Sequence, residues 1–505
     1  MTAPAFYSPI LVIVLPLIGG FALPGAGLLG DKLNIPRLRE YLASAVVLAT
    51  IYFVLDTSAG LGEEIMVYPL GGWEPPLGIT LVIDGLGILL SIVVSIIAGV
   101  IIIYSLYFFK EEDRLSQYYT LMLFLLAGML GVAYTGDIFN LYVFFEIMSI
   151  ASYSLIAFYR TGDSVEGALK YLFIGSLGTG FILLGIVLLY AMTGTLNMAD
   201  LSMRMSVLSA EGYSLTALIS LGLLTVGFGM KVGMIPFHAW LPDAYQSAPI
   251  PVTTVMAGGT GVIGVGALLR VGFLVFGSEL ITPLLMGLGL LTMVAGALLA
   301  LRQSDLIRLL AYSSISQMGY IFLGLGIGTS LGVSGGLYHL MNKAVFKSLL
   351  FLAAGIIVYK TGSSDMNKLG GLAVKMPVTA TLFGVGALAL VGIPPLNGFV
   401  SKASIIYAGI RAGHPVLSAL ASFSAALSLT YILRAFISVF LGESTPLTED
   451  IKFSREYRLL IPVCILAVFT LLLGILPGFG FEMVAEAEAV LLEPLEYIES
   501  VFPAG

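Results

Sequence analysis

Five ionisable side chains stand near the middle of long apolar runs: Glu146, Lys231, Lys343, Lys347 and Lys402. Glu146 lies in NLYVFFEIMSIASY, Lys231 in FGMKVGMIPFHAWLPDAY, and Lys402 follows GIPPLNGFVS. In YHLMNKAVFKSLLF, His339, Lys343 and Lys347 recur at i, i+4 and i+8, which places them on one helical face. A lysine at the centre of a hydrophobic helix costs about 2.5–3.5 kcal/mol on insertion scales. For a single residue, a structural salt bridge or a charge reaching back to the interface along its apolar stem would explain it. Five at similar depth weaken that explanation, and intramembrane ionisable residues mark ion or proton pathways. The chemistry suits protons. A desolvated lysine gives up its proton more readily, a nearby carboxylate restores its hold, and moving the carboxylate away releases the proton. Such a switch uses no redox cofactor and no covalent step.

Around Lys231 the backbone is also unusual. Pro236 follows five residues later inside the same run, removing a donor and freeing an upstream carbonyl, which fits a helix lining a hydrated path. His238 comes next, either as a hydrogen-bond partner of that freed carbonyl or as a proton relay. Two other signals are weaker. Asp84 reads as an interfacial carboxylate, and the hydroxyls and amide of AYSSISQMGY (311–320) suit either a water chain or ordinary interhelical bonds.

The elements that must hold these groups are membrane helices. Of 505 residues 58% are hydrophobic and 10% charged, against roughly 25% charged in a soluble domain. Mean hydropathy is +1.03. The net charge of -7 makes nucleic acid an unsuitable partner. One cysteine and three histidines exclude a disulfide framework and a cysteine-ligated iron–sulfur cluster within this chain, and no cofactor is expected. The first twenty residues lack the basic region of a signal peptide and read as the first membrane helix. Apolar runs of bilayer-spanning length fall at 7–28, 39–57, 79–108, 117–135, 137–159, 165–192 and 214–240, then at 249–276, 282–301, 308–328, 333–359, 376–410, 416–441 and 458–477. That predicts an all-α polytopic membrane protein of about fourteen transmembrane helices. The seventh and twelfth runs are interrupted, the twelfth at Gly392-Ile393-Pro394-Pro395.

Basic residues divide unevenly between alternate connections. One set holds 15, including Lys32, Lys110, Arg160, Lys170, Arg302, Lys360, Lys452 and Arg455; the other holds Arg204, Arg270 and Arg411. The positive-inside rule then places both termini outside. The acidic connection 56–78, with Asp56, Glu63, Glu64 and Glu74, agrees. The tail 478–505 carries six glutamates and no basic residue, so it is expected to lie at the interface or against a neighbouring subunit. The broken runs are five helices apart, a pointer to two inverted five-helix repeats, helices 4–8 and 9–13. The expected division is 1–116 for helices 1–3, 117–276 and 277–441 for the repeats, and 442–505 for the last helix and tail.

YTGDIFNLYVFFEIMSIASY (134–153), YLFIGSLGTGF (171–181) and GTLNMADL (194–201) resemble the large D-type polypeptide of Mrp-type cation/proton antiporters. KVGMIPFHAWLPDAYQSAP (231–249), SDLIRLLAYSSISQMGY (304–320) and GIPPLNGFVSK (392–402) resemble the wider family, which includes antiporter-like subunits of respiratory complex I and of membrane-bound hydrogenase-type complexes. The resemblance implies fourteen helices with breaks in helices 7 and 12, Glu146 paired with Lys231, Lys402 at the exit side, and His339 and Lys347 in the polar track of helix 11. Lys343 stands where many members have histidine. Members usually carry a lysine or histidine in helix 8, whereas PVTTVMAGGTGVIGVGALL (251–269) has none, with Val262 near the place. The function implied is a proton-translocating, antiporter-like subunit of a prokaryotic plasma-membrane complex. Its partners would be other membrane subunits, with protons and, in an Mrp-type parent, a sodium gradient as the ions. The alternatives are a standalone transporter of a small solute, active when reconstituted alone, and a redox subunit, which would show cofactor absorbance.

Overall fold

The computed structural model of the protein describes residues 8–503 apart from 36, 62–63, 110–113, 211, 450 and 452–455. Lys110, Lys452, Arg455 and Glu63, which entered the charge distribution above, lie outside the described residues. The helices are α1 (Ser8–Leu33), α2 (Leu38–Leu61), α3 (Gly85–Phe108), α4 (Leu115–Tyr134), α5 (Ile138–Ile156), α6 (Gly162–Thr193), α7 (Met198–Leu208), α8 (Leu215–Val232) and α9 (Trp240–Ser247). Next come α10 (Ile250–Phe276), α11 (Ser278–Leu301), α12 (Leu306–Gly326), α13 (Ser330–Thr361), α14 (Pro377–Val391) and α15 (Asn397–Arg411). The chain closes with α16 (Pro415–Leu441), α17 (Tyr457–Ile475), α18 (Pro477–Leu492) and α19 (Pro494–Val501). Among the described residues, 13 helices are long and apolar enough to cross a membrane, and α14 is a shorter apolar helix. This is a polytopic all-α membrane protein.

One apolar run changes structure part-way. The stretch read as a helix from 79 starts as a strand, β2 (Thr80–Ile83), paired antiparallel with β1 (Met66–Pro69). Asp84 then caps α3, its carboxylate accepting from the Gly87 amide at 2.7 Å. Periodicity cannot separate a short buried strand from a helix start, so the cap decides the boundary.

Both interrupted spans break at a glycine with positive φ, Gly233 at 71° and Gly392 at 92°, where an L side chain would be strained. Pro236 and Pro395 follow each glycine by three residues and lack the donor needed to continue the helix. The chain resumes as α9 and α15.

A run of matching details connects the two halves. Asp137 caps α5 and bridges Asn197, and Asp305 caps α12 and bridges Asp365. Thr161 and Thr329 cap α6 and α13, both 32 residues long, which end at the left-handed glycines Gly194 and Gly362. All four correspondences keep one interval of 168 residues (137 to 305, 161 to 329, 194 to 362, 197 to 365). Similarly, α10 and α16 are both 27 residues long, and each contains a π-helical turn.

One expectation needs correction: Arg270 is not in a connection but within α10, and the carboxylate it meets there, Asp84, is buried at the N-cap of α3. Both are buried, and Arg270 donates to the two Asp84 oxygens at 2.6 and 2.8 Å and to the Ala133 carbonyl at 3.2 Å. A bidentate arginine satisfies the carboxylate lone pairs that burial would otherwise leave unpaired. The acidic tail also packs on its own chain. In α18, Val484, Ala487 and Leu491 are buried against α3, α13 and the end of α10, while Glu482 and Glu486 face outward. In α19, the buried Tyr497 ring lies 5.8 Å from the Arg270 guanidinium.

Candidate functional site

Lys231 occupies the last turn of α8, and its side chain is 6% exposed. Its Nζ donates to Ser149 Oγ at 2.7 Å and to Tyr153 OH at 3.1 Å, both on α5. Glu146 is on the same face of α5, one turn before Ser149. Among the described residues no direct ion pair joins Glu146 to Lys231; one Glu146 carboxylate oxygen is buried without a hydrogen-bond partner. Ser149 and Tyr153 were not singled out from sequence, although they follow Glu146 at i+3 and i+7, the spacing of a shared face.

Past Gly233 the chain turns so that Trp240 Nε1 donates to the Met230 carbonyl at 2.9 Å, and the indole stacks on Tyr171 of α6 at 3.8 Å. The carbonyl freed by the break is therefore held by Trp240. The His238 ring instead lies edge-on to Tyr312 of α12, 6.2 Å between centroids. Beyond it, Asp243 of α9 joins Lys170 of α6 at 2.6 Å and Arg308 of α12 at 2.5 Å. Burial pushes the Asp243 carboxyl up, but the hydrogen bonds and charges of Lys170 and Arg308 outweigh it and hold it below the usual carboxylate range. These residues, with Asp163 and Glu166, line a surface cavity of about 410 Å³.

The second half is more deeply buried. His339, Lys343, Lys347 and Lys402 are each 3% exposed or less. Lys347 donates to the Leu310 carbonyl at 2.9 Å and to Ser313 Oγ of α12. Of the other hydroxyls of 311–320, Ser314 bonds the Leu310 carbonyl, Ser316 the Met293 carbonyl and Tyr320 the Ala421 carbonyl. His339 Nδ1 is 2.8 Å from Ser401 Oγ. Lys402 turns back from α15 to the C-terminal carbonyls of α14, Leu390 at 2.7 Å and Val391 at 3.3 Å, with Nζ 4.5 Å from the Tyr320 ring centroid. A cation at a half-helix C-terminus meets both unpaired carbonyls and the negative end of the macrodipole. Asn342 donates to the Asn397 carbonyl at 3.1 Å, joining α13 to the start of α15. Sequence reading passed over both asparagines and Ser401.

Lys343 bridges the halves. Its Nζ crosses to the Ala257 carbonyl at 3.3 Å, inside the π-helical turn Met256–Thr260 of α10. A Cβ built on Gly261 would lie 3.6 Å from that ammonium. The span lacking an ionisable group near its centre thus receives one from α13. The two lysines of the broken spans are not equivalents, however. Lys231 lies two residues before its break and Lys402 ten after its own; ten after Gly233 stands Asp243.

Two broken spans around a row of buried, carboxylate-free lysines define a polytopic membrane protein of antiporter-like architecture. The chain belongs to the NADH:quinone oxidoreductase/Mrp antiporter transmembrane family, whose model matches residues 135–428. The D-type polypeptide of the Na(+)/H(+) antiporter of Alkalihalophilus pseudofirmus is 34% identical over 497 residues, covering 97% of this chain and 98% of that relative. The N-type polypeptide of the NADH-quinone oxidoreductase of Desulforudis audaxviator is 36% identical, covering 93% of this chain and 96% of its own. A chain of the membrane-bound sulfane sulfur reductase, an archaeal respiratory membrane complex, superposes with a TM-score of 0.89 at 32% identity, covering 98% of this chain and 99% of that one.

Proposed function

We propose that this chain is the proton-translocating, antiporter-like subunit of a multisubunit membrane complex. The observation that carries the reading is the burial of Lys231, Lys343, Lys347 and Lys402 on hydroxyls and carbonyls in place of carboxylates. Groups so placed exchange a proton at small cost, because no fixed counter-charge holds the ammonium form. Glu146 acts as the movable partner of Lys231, and His238 and His339 serve the two half-paths. Lysine-lined paths suit protons; sodium prefers oxygen ligands and belongs to a neighbouring subunit where the parent complex exchanges it. The relatives include both antiporter and oxidoreductase subunits, and proton transfer is the step this reading gives to the present chain.

The halves are read as inverted repeats over 117–276 and 277–441, supported by the shared 168-residue interval of caps and bridges. The preceding helices span 1–116, and 442–505 holds the last helix and tail. The charge distribution supports termini on the outer face of a prokaryotic plasma membrane. The test is coupled translocation by membrane vesicles carrying the assembled complex. Lys231→Ala and Glu146→Ala are each expected to abolish it while assembly persists. Full pumping in both would overturn the reading.

A further inference from the structure

The tail helix α18 packs on α3 and α13 at their N-terminal ends, where Gly85 meets Glu486 and Ser334 meets Glu488. It is seated closely. Phe481 stacks on Tyr338 of α13 with 4.6 Å between centroids, and a Cβ on Gly480 would lie 2.2 Å from the same ring. Its one inward-leaning carboxylate, the half-buried Glu488, accepts a hydrogen bond from Ser334 Oγ of α13. Ser334, Tyr338 and Asn342 follow at i, i+4 and i+8, so one face of α13 leads from Glu488 down to Asn342, which bonds the Asn397 carbonyl at 3.1 Å. Ser401 bonds that carbonyl at 3.3 Å and also meets His339.

Four fully buried polar atoms at the foot of this column, Asn342 Oδ1, Asn397 Nδ2, Asn397 Oδ1 and His339 Nε2, have no hydrogen-bond partner among the described residues. Buried amides and imidazoles left so are costly unless water satisfies them. Four such atoms together make a site with the polar partners that buried water needs.

We propose that Glu488 is the carboxylate through which the second half-path exchanges protons with the outer aqueous phase, by way of the Ser334–Tyr338–Asn342 face. The proposal rests on the translocating role argued above. A proton leaving His339 passes through water held at Asn397 and Asn342, then through water past Tyr338, whose hydroxyl donates to the Leu473 carbonyl, to the Ser334 hydroxyl and Glu488. Each hop breaks one N–H or O–H bond and forms another on the next acceptor, and Glu488 then releases the proton to solvent. The tail is thus part of the pathway as well as a cover.

The experiment uses the whole complex in vesicles, with rates normalised to assembled protein. Glu488→Gln keeps an acceptor for Ser334 but cannot titrate, and its rate is expected to fall about tenfold or more. Glu488→Asp is expected to stay near the native rate. Native translocation in assembled Glu488→Gln would overturn the proposal. So would equal loss in both variants, which would leave Glu488 with packing alone. Lys231→Ala, measured alongside, separates the two failures: its loss of translocation with an unaffected Glu488→Gln rejects the exit and keeps the translocating role of the chain.

Discussion

The Lys231 ammonium sits 2.7 Å from the Ser149 hydroxyl, one turn along α5 from Glu146, and is not seated on the Glu146 carboxylate. Two hydroxyls, Ser149 and Tyr153, therefore hold the ammonium that the family resemblance pairs with Glu146. They lie on one helix face, along which the ammonium can shift toward or away from Glu146. Hydrogen bonds to charged groups are worth about 1.5–3 kcal/mol. Ser149→Ala combined with Tyr153→Phe removes both, and the translocation rate is expected to fall by about 100-fold or more, since about 1.4 kcal/mol is one decade. Ser149→Thr keeps the hydroxyl and should retain the rate. Initial rates of vesicle acidification check this, and an unchanged rate in the double variant would show that the hydroxyls only fill space.

The Asp84–Arg270 pair makes a stability prediction. Removing one member of a buried, hydrogen-bonded pair leaves the other charge uncompensated, at a cost of about 3–5 kcal/mol. Arg270→Ala is expected to lower the thermal unfolding midpoint of the purified complex and to loosen α19, because Tyr497 packs on the guanidinium. Replacing both charges by leucine should recover much of the loss. Differential scanning fluorimetry of the three proteins distinguishes this from a surface pair, which would shift hardly at all.

These two sites show where sequence reading stops. Fourteen apolar runs, the breaks beside Pro236 and Pro395, and the Lys–His face of α13 are local patterns, visible because each depends on neighbours within a few turns. Asp84 and Arg270 are 186 positions apart, and neither residue's surroundings in the chain announce a partner. The tail's charge excludes spanning and points to the interface or a neighbouring subunit; its buried Val484, Ala487 and Leu491 stripe acquires meaning only with α3 and α13 beneath it. Ser149, Tyr153, Asn342 and Asn397 are ordinary residues for membrane helices until the lysine or the carbonyl they meet is in place. The 168-residue interval was hidden for a related reason: it is carried by caps and bridges, short polar residues whose shared role appears only with backbone geometry.

The ion-pair group at Asp243 sets a pH dependence. Its carboxyl is held below the usual carboxylate range, so the clamp of α6, α9 and α12 contributes stability that is fully present above the unfolded value, about 3.9 for aspartate, and lost as pH falls through the folded value. Native complex should therefore keep a constant unfolding midpoint from about pH 7 to 5 and lose this contribution below about pH 4. Asp243→Asn is expected to be less stable at about pH 7 and to show a shallower acid decline. Parallel acid profiles in the two proteins would mean that Lys170 and Arg308 do not hold the carboxyl.

Lys343 offers the sharpest test of how the halves connect. The α10 span between them carries no ionisable side chain near its π-helical turn, and the Lys343 ammonium lies against that turn from the side of α13. If the ammonium's place is what matters, its helix of origin is secondary. Lys343→Ala is expected to reduce translocation by about 100-fold, the scale of losing one proton-transfer group. Adding Gly261→His supplies an imidazole from α10, whose Cβ would start 3.6 Å from the native Nζ position, in space the alanine has vacated. Translocation in the double variant should return to within about tenfold of native, with a pH profile moved down toward the histidine range near about 6.5. Recovery with that moved profile assigns the bridging role to a titratable group at this point. An assembled double variant as inactive as Lys343→Ala would show that the route between the halves depends on the lysine's own reach along α13.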